Sequence, residues 1–167
     1  MKKIAVTAAA LLLTSSLYAE QTQQISGVYV GAGLGLEAMP KHVDNGMGLS
    51  LKGGVALDQL LKNMGVEAEL TTSLVAPEYQ GGENIDVFTL GVYATYTIDI
   101  PNSPVAVRPK FGVILPNLAD EINSRDVALS TGVAALLKFN DQFSGYVEYV
   151  NVSEMMNNYM VGLEVGF

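Results

Sequence analysis

Cysteine and tryptophan are missing from this chain of 167 residues, histidine occurs once, and charged residues make up only 16%. Without cysteine there are no disulfides, no thiolate metal sites, no cysteine nucleophile and no lipidated cysteine of a lipoprotein. Basic residues are also scarce, with 9 Lys+Arg against 17 Asp+Glu and a formal charge of -8. That balance excludes nucleic acid as a partner, because phosphate binding needs a cationic face that displaces counterions. Helical periodicity is nearly absent, and no stretch approaches the roughly 20 consecutive apolar residues of a membrane helix.

What remains is 49% hydrophobic residues and 17 glycines, far from the roughly one-quarter charged content of a soluble domain. The N-terminus explains part of this. Lys2 and Lys3 precede an apolar run from Ile4 to Leu13, and Ser15-Ser16-Leu17-Tyr18-Ala19 ends on a small residue. This pattern predicts a secretory signal peptide over residues 1–19 and a mature domain over residues 20–167. Any membrane crossing by the mature chain must then use strands.

Segments of about ten residues follow, each alternating apolar and polar side chains with period two. The first sets Val28, Val30, Ala32, Leu34 and Leu36 against Tyr29, Gly31, Gly33, Gly35 and Glu37, and the last sets Tyr159, Val161, Leu163, Val165 and Phe167 against Met160, Gly162, Glu164 and Gly166. Eight such segments predict an all-β fold, an eight-stranded antiparallel up-and-down transmembrane β-barrel with tilted spans of roughly 9 to 11 residues. Short turns over residues 58–63, 99–104 and 140–142 alternate with longer connections over residues 38–45, 76–84, 116–126 and 150–158, as expected of short periplasmic turns and longer outward loops.

Alternation alone also fits a soluble eight-stranded barrel with its apolar face inward. The aromatic residues separate the two. Tyr96, Phe139, Phe143 and Phe167 cluster at one end of the apolar face, with Phe88, Tyr149 and Tyr159 at the other and Phe111 near mid-strand. Two such girdles match the two interfaces of a bilayer. The apolar face therefore points to lipid. The glycine-rich polar face points inward, carrying a charge network of Glu37, Lys52, Glu67, Glu69, Arg108, Lys110, Lys138, Glu148 and Glu164. Buried charges persist when paired, so this set predicts a salt-bridged plug, with Lys52 and Glu69 opposed across the second hairpin. Pro109 has no amide N–H for the ladder, which predicts a bulge there.

The opening run from Val28 to Gly35 and the ending from Tyr159 to Phe167 resemble the small outer-membrane β-barrels of the OmpA-like or OmpX-like type from Gram-negative bacteria. The alternating terminus Tyr159, Val161, Leu163, Val165 and Phe167 resembles the signal read by the barrel-assembly machinery. The resemblance implies outer-membrane localisation after Sec-type export, contact with lipid and lipopolysaccharide, a monomeric state, and a structural or surface-interaction role. The chain stops at Phe167, where full-length OmpA continues into a peptidoglycan-binding domain. A small porin-like channel is the alternative, and a lipid A-modifying enzyme ranks third.

Isolated motifs add little. His42 lies near Asp44 and Ser50 without matching a lipid A enzyme's motif, and reads as a solvated loop residue. Gly31, Gly33 and Gly35 open no helix, so they form no phosphate loop. Asp120, Glu121, Asn123 and Asp126 lack calcium-loop spacing. Asn151-Val152-Ser153 is a glycosylation sequon without a use in this compartment. No catalytic, cofactor or metal site is expected.

Overall fold

The computed structural model describes residues 27–39, 43–58, 61–78, 84–118, 127–153 and 156–167. The alternating segments form β1 (Val28–Ala38), β2 (Gly46–Ala56), β3 (Met64–Val75), β4 (Val87–Tyr96), a two-residue β5 (Ile98–Asp99), β6 (Val105–Leu118), β7 (Ala128–Lys138), β8 (Phe143–Ser153) and β9 (Met156–Gly166). Because β5 continues β4 past Thr97 against the same partner, β6, the wall has eight staves. Neighbours in sequence pair antiparallel throughout, and β1 pairs with β9 to close the barrel. Closure satisfies both edges of the sheet, which lets a sheet exist in lipid.

Burial settles which face is outside. Lys52, Glu67, Glu69, Lys110 and Glu148 are buried, whereas Leu34, Phe111, Val147, Val161 and Leu163 are exposed. Polar inside and apolar outside is the inverse of a soluble barrel and the arrangement of a membrane one. Tyr96, Phe139, Phe143 and Phe167 ring the end that carries Gly27 and the C-terminus, and all are exposed. At the loop end the rings of Tyr149 and Tyr159 lie 5.2 Å apart and tilted by 49°, with Phe88 outward on the same girdle by strand parity. Asn63 and Asn102 take positive φ values of 66° and 58° in the short turns, a conformation that asparagine tolerates better than most residues.

Three local expectations are corrected. Residues 150–158 are mostly strand, since β8 runs to Ser153 and β9 starts at Met156. The alternation continues there through buried Val150, Val152, Met156 and Asn158, and a register shift between Asn151 and Ser153 absorbs the irregularity. Pro116, expected in a loop, lies in β6 opposite Thr89. Pro109 induces no bulge: the register of β6 is constant against β7 and is the same at Thr95↔Lys110 as at Ile98↔Val107. The ladder to β6 is instead interrupted at Tyr96 and Thr97, opposite Pro109 and Arg108, where β4 gives way to β5. There the Thr97 amide donates to Asn63 O at 2.8 Å and its hydroxyl accepts from Arg108 Nε at 3.2 Å. A missing N–H costs one rung, and skipping a rung disturbs the wall less than inserting a residue.

Candidate functional site

Inward-facing side chains from β2, β3, β6, β8 and β9 meet in the lumen because alternate positions on every stave point to the axis. Arg108 grips Glu164 with two hydrogen bonds, Nη1 to Oε2 at 2.8 Å and Nη2 to Oε1 at 3.0 Å. Glu164 Oε2 lies 4.0 Å from Lys52 Nζ, which is 3.0 Å from Glu148 Oε2. Glu148 Oε1 is 3.0 Å from Lys110 Nζ, and Lys110 is 3.0 Å from Glu67 Oε1. Glu67 Oε2 returns to Arg108 Nη1 at 3.8 Å. Cations and carboxylates thus alternate around a closed ring: Arg108, Glu164, Lys52, Glu148, Lys110, Glu67. Glu69 attaches to it through Lys110 Nζ and accepts the Ser50 hydroxyl at 2.9 Å.

Tyrosines complete the ring's surroundings. Tyr29 donates its hydroxyl to Glu67 Oε2 at 2.8 Å. Lys52 Nζ lies 3.5 Å from the centroid of the Tyr146 ring, Arg108 Cζ 4.3 Å from that of Tyr29, and Lys110 Nζ 4.5 Å from that of Tyr93. Each ring cation therefore sits over an aromatic face as well as beside carboxylates, which offsets its desolvation. The paired glycines Gly33 and Gly162 make room for this, since a Cβ at either would stand 2.4 or 2.6 Å from the Tyr146 hydroxyl. Parity already places Tyr29, Tyr93 and Tyr146 inward, but nothing in the alternation tells a tyrosine that fills space from one that supports a cation.

Two of the nine expected network residues stand apart. Lys138 is a correction: its side chain is 47% exposed and pairs with Asp99 at the terminal mouth, because β7 ends there and its last inward position lies beyond the buried section. Glu37 is buried at the loop end and accepts the Ser73 hydroxyl, with no ion pair among the described residues. The expected bridge between Lys52 and Glu69 is also corrected. The two are direct partners in the β2–β3 register, yet Lys52 reaches across the lumen to Glu148 while Glu69 turns to Lys110 and Ser50. In a lumen this narrow, a lysine stem is long enough to choose among opposite staves. Combining Lys52→Met with Glu148→Gln should therefore show a coupling of roughly 1–3 kcal/mol in urea midpoints, and the Lys52→Met, Glu69→Gln cycle a smaller one. Equal couplings would contradict the observed pairing.

The lumen is not polar throughout. Ile85, Val87, Ile114, Val150, Val152 and Met156 form a buried apolar cluster at the loop end, joined by Met39 and Val43 from the first connection. Two connections are stitched over it, Asp44 N donating to Glu78 O and Ile85 N to Pro77 O, each at 2.8 Å. Isolated apolar residues in loops carry no periodicity, so no pattern in the chain announces this cap. The opposite end is open: a vestibule of about 450 Å³ is floored by Tyr29, Arg108 and Glu164 and rimmed by Asp99, Lys138 and Asp141.

The girdle residues and the terminal set Tyr159, Val161, Leu163, Val165 and Phe167 all lie on the outer face. Ser50, weighed as a partner for His42, is inside the lumen on Glu69. Residues 1–19, His42, Asp120, Glu121, Asn123 and Asp126 lie outside the described residues.

Comparison with solved structures finds the same fold at low identity. The outer membrane protein OprG from Pseudomonas aeruginosa matches with a TM-score of 0.60 and 12% identity over 85% of this chain and 96% of that one. Neisserial surface protein A gives 0.55 and 11% over 86% and 98%. Ail, the attachment invasion locus protein of Yersinia pestis, gives 0.54 and 15% over 85% and 97%. Comparison with curated protein sequences returns no match. A family model described as the outer membrane protein beta-barrel domain matches residues 5–167. With that match spanning nearly the whole chain and a closed barrel that is charged within and apolar without, the chain belongs to the outer membrane protein β-barrel family.

Proposed function

We propose that this outer-membrane barrel is a closed, monomeric, non-enzymatic element of the membrane whose role is structural or interactive through its outward loops. The observation that carries the reading is the obstruction of the lumen. Ring side chains from five staves are 0 to 10% exposed, and the apolar cap lies between them and the loops. Eight staves enclose little more than side chains, so this filling leaves no water-lined path. Planar-bilayer recording on the refolded protein should show no discrete conductance steps. Regular steps in most insertions would instead favour a small porin-like channel, the reading supported by the vestibule that leads to the Arg108–Glu164 pair. The third reading, a lipid A-modifying enzyme, has less support, because the Ser50 hydroxyl is occupied by Glu69 within the lumen.

The same reading includes Sec-type export, removal of residues 1–19, an outer face in contact with lipid and lipopolysaccharide, and insertion by the barrel-assembly machinery. Phe167 is 70% exposed at the end of the closing strand, and its amide donates to Val28 O at 2.8 Å, at the β1–β9 seam. Phe167→Asp should lower the yield of inserted barrel roughly twentyfold or more relative to Asn123→Asp, beyond the roughly 0–1 kcal/mol that a charge costs near the interface. Equal yields of heat-modifiable barrel in outer-membrane fractions would remove Phe167 from the assembly signal.

A further inference from the structure

Glu37 is the one buried lumen carboxylate among the described residues with no ion pair, and its setting is unlike that of the others. It is 0% exposed, and among the described residues only the Ser73 hydroxyl donates to it, at Oε2. None of the described residues donates to Oε1. At the directly opposed position of the neighbouring strand stands Asn158, 1% exposed, whose Oδ1 also lacks a donor. Gly48 makes the seat possible, because a Cβ there would stand 2.6 Å from Glu37 Oε1.

The inward positions around Glu37 supply no charge to balance it. They are Gly46 and Gly48 on β2, Ser73 on β3, and Met156, Asn158 and Met160 on β9. Beyond them lies the apolar cap. A buried carboxylate with no cationic partner is among the most costly groups a fold can hold, so its charge is either removed by a proton or met by a cation from outside the described residues. A hydroxyl oxygen on β3, a carboxylate oxygen on β1 and an amide oxygen on β9, with only Gly46 and Gly48 of β2 inward between the first two, are the donor set of a hard cation. With a single carboxylate among them, a monovalent ion leaves no excess charge in the low-dielectric cap.

We propose that Glu37, Asn158 and Ser73 form a binding site for a monovalent alkali cation at the base of the apolar cap. Occupancy ties β1, β3 and β9 together beneath the stitched connections and holds the loop end of the lumen closed.

The test is the thermal midpoint of the refolded barrel in nonionic detergent, with enough urea to bring melting into range, in sodium, potassium or choline chloride at matched ionic strength. Sodium or potassium should raise the wild-type midpoint by roughly 5 °C or more over choline. Glu37→Gln, which removes the charge and keeps the shape, should melt at least as high as the cation-loaded wild type and not respond to the salt. Asn158→Ala, which keeps the charge, should retain the low choline midpoint and lose most of the response. A wild type indifferent to the choice of cation overturns the proposal, as does a response that survives Glu37→Gln. A midpoint that rises on acidification and ignores the alkali ion assigns the seat to a proton and overturns it equally.

Discussion

Replacing Lys110 with methionine is expected to destabilise the barrel by roughly 3–5 kcal/mol, the loss typical of removing one side of a buried ion pair. Lys110 is the hub of the lumen: its side chain is 1% exposed and meets Glu67, Glu69 and Glu148. Those carboxylates do not lose equally. Glu148 keeps Lys52 at 3.0 Å and Glu67 keeps Arg108 at 3.8 Å, but Glu69 has no second cation among the described residues. Adding Glu69→Gln to Lys110→Met should thus recover most of the loss, whereas adding Glu164→Gln should deepen it by freeing Arg108. Urea midpoints of the two single mutants and both doubles would measure this. Losses that simply add would show that Glu69 does not depend on Lys110, and a Lys110→Met loss below about 1 kcal/mol would mean that the lumen is hydrated like a surface.

Gly112→Ala should be nearly as damaging although it adds one methyl group. A Cβ at Gly112 would lie 2.0 Å from the backbone oxygen of Val92 and 2.7 Å from Tyr93 Cα, in the seam between β6 and β4. The obstacle is backbone, so relief requires the two strands to part. Overpacking usually costs about 1–3 kcal/mol, and a clash with main chain belongs at the upper end. Gly53→Ala provides the contrast, because its nearest neighbour would be Tyr29 O at 3.7 Å. That change should stay within about 0.5 kcal/mol of wild type. Equal urea midpoints for the two variants would show that the seam yields more easily than its geometry indicates.

Much of the wall was legible before the structure. Every residue assigned inward or outward by parity lies on that side, from Tyr29 to Glu164, because a strand has only two faces and all these strands share one barrel. Legibility failed where alternation lost its contrast. Between Val150 and Asn158 asparagines stand where outward apolar residues would be expected, so the pattern there is that of a loop although the chain is strand. It failed again at Met39, Val43 and Ile85, which have no periodic neighbours to declare a direction and yet complete the cap. For Lys138 parity gives the face but not the depth, since it carries no information about height along the axis.

The sequence by itself determined the strand count, the face of each side chain, the lipid-facing girdles and the presence of a charged interior. Those features depend only on period two, strand length and the preference of aromatic residues for interfaces. Which charge meets which was decided by tertiary closure. Lys52 stands directly beside Glu69 in the β2–β3 register, yet its ammonium pairs with Glu148, 96 positions along the chain. Glu37 stands on the same inward face as the ring residues, yet among the described residues no cationic side chain meets it, and its Oε1 lacks a donor. Both outcomes have one cause. Joining β1 to β9 brings all eight staves within a side chain's length of one another, so partners are set by position across a narrow lumen, a distance that no local pattern in the chain encodes.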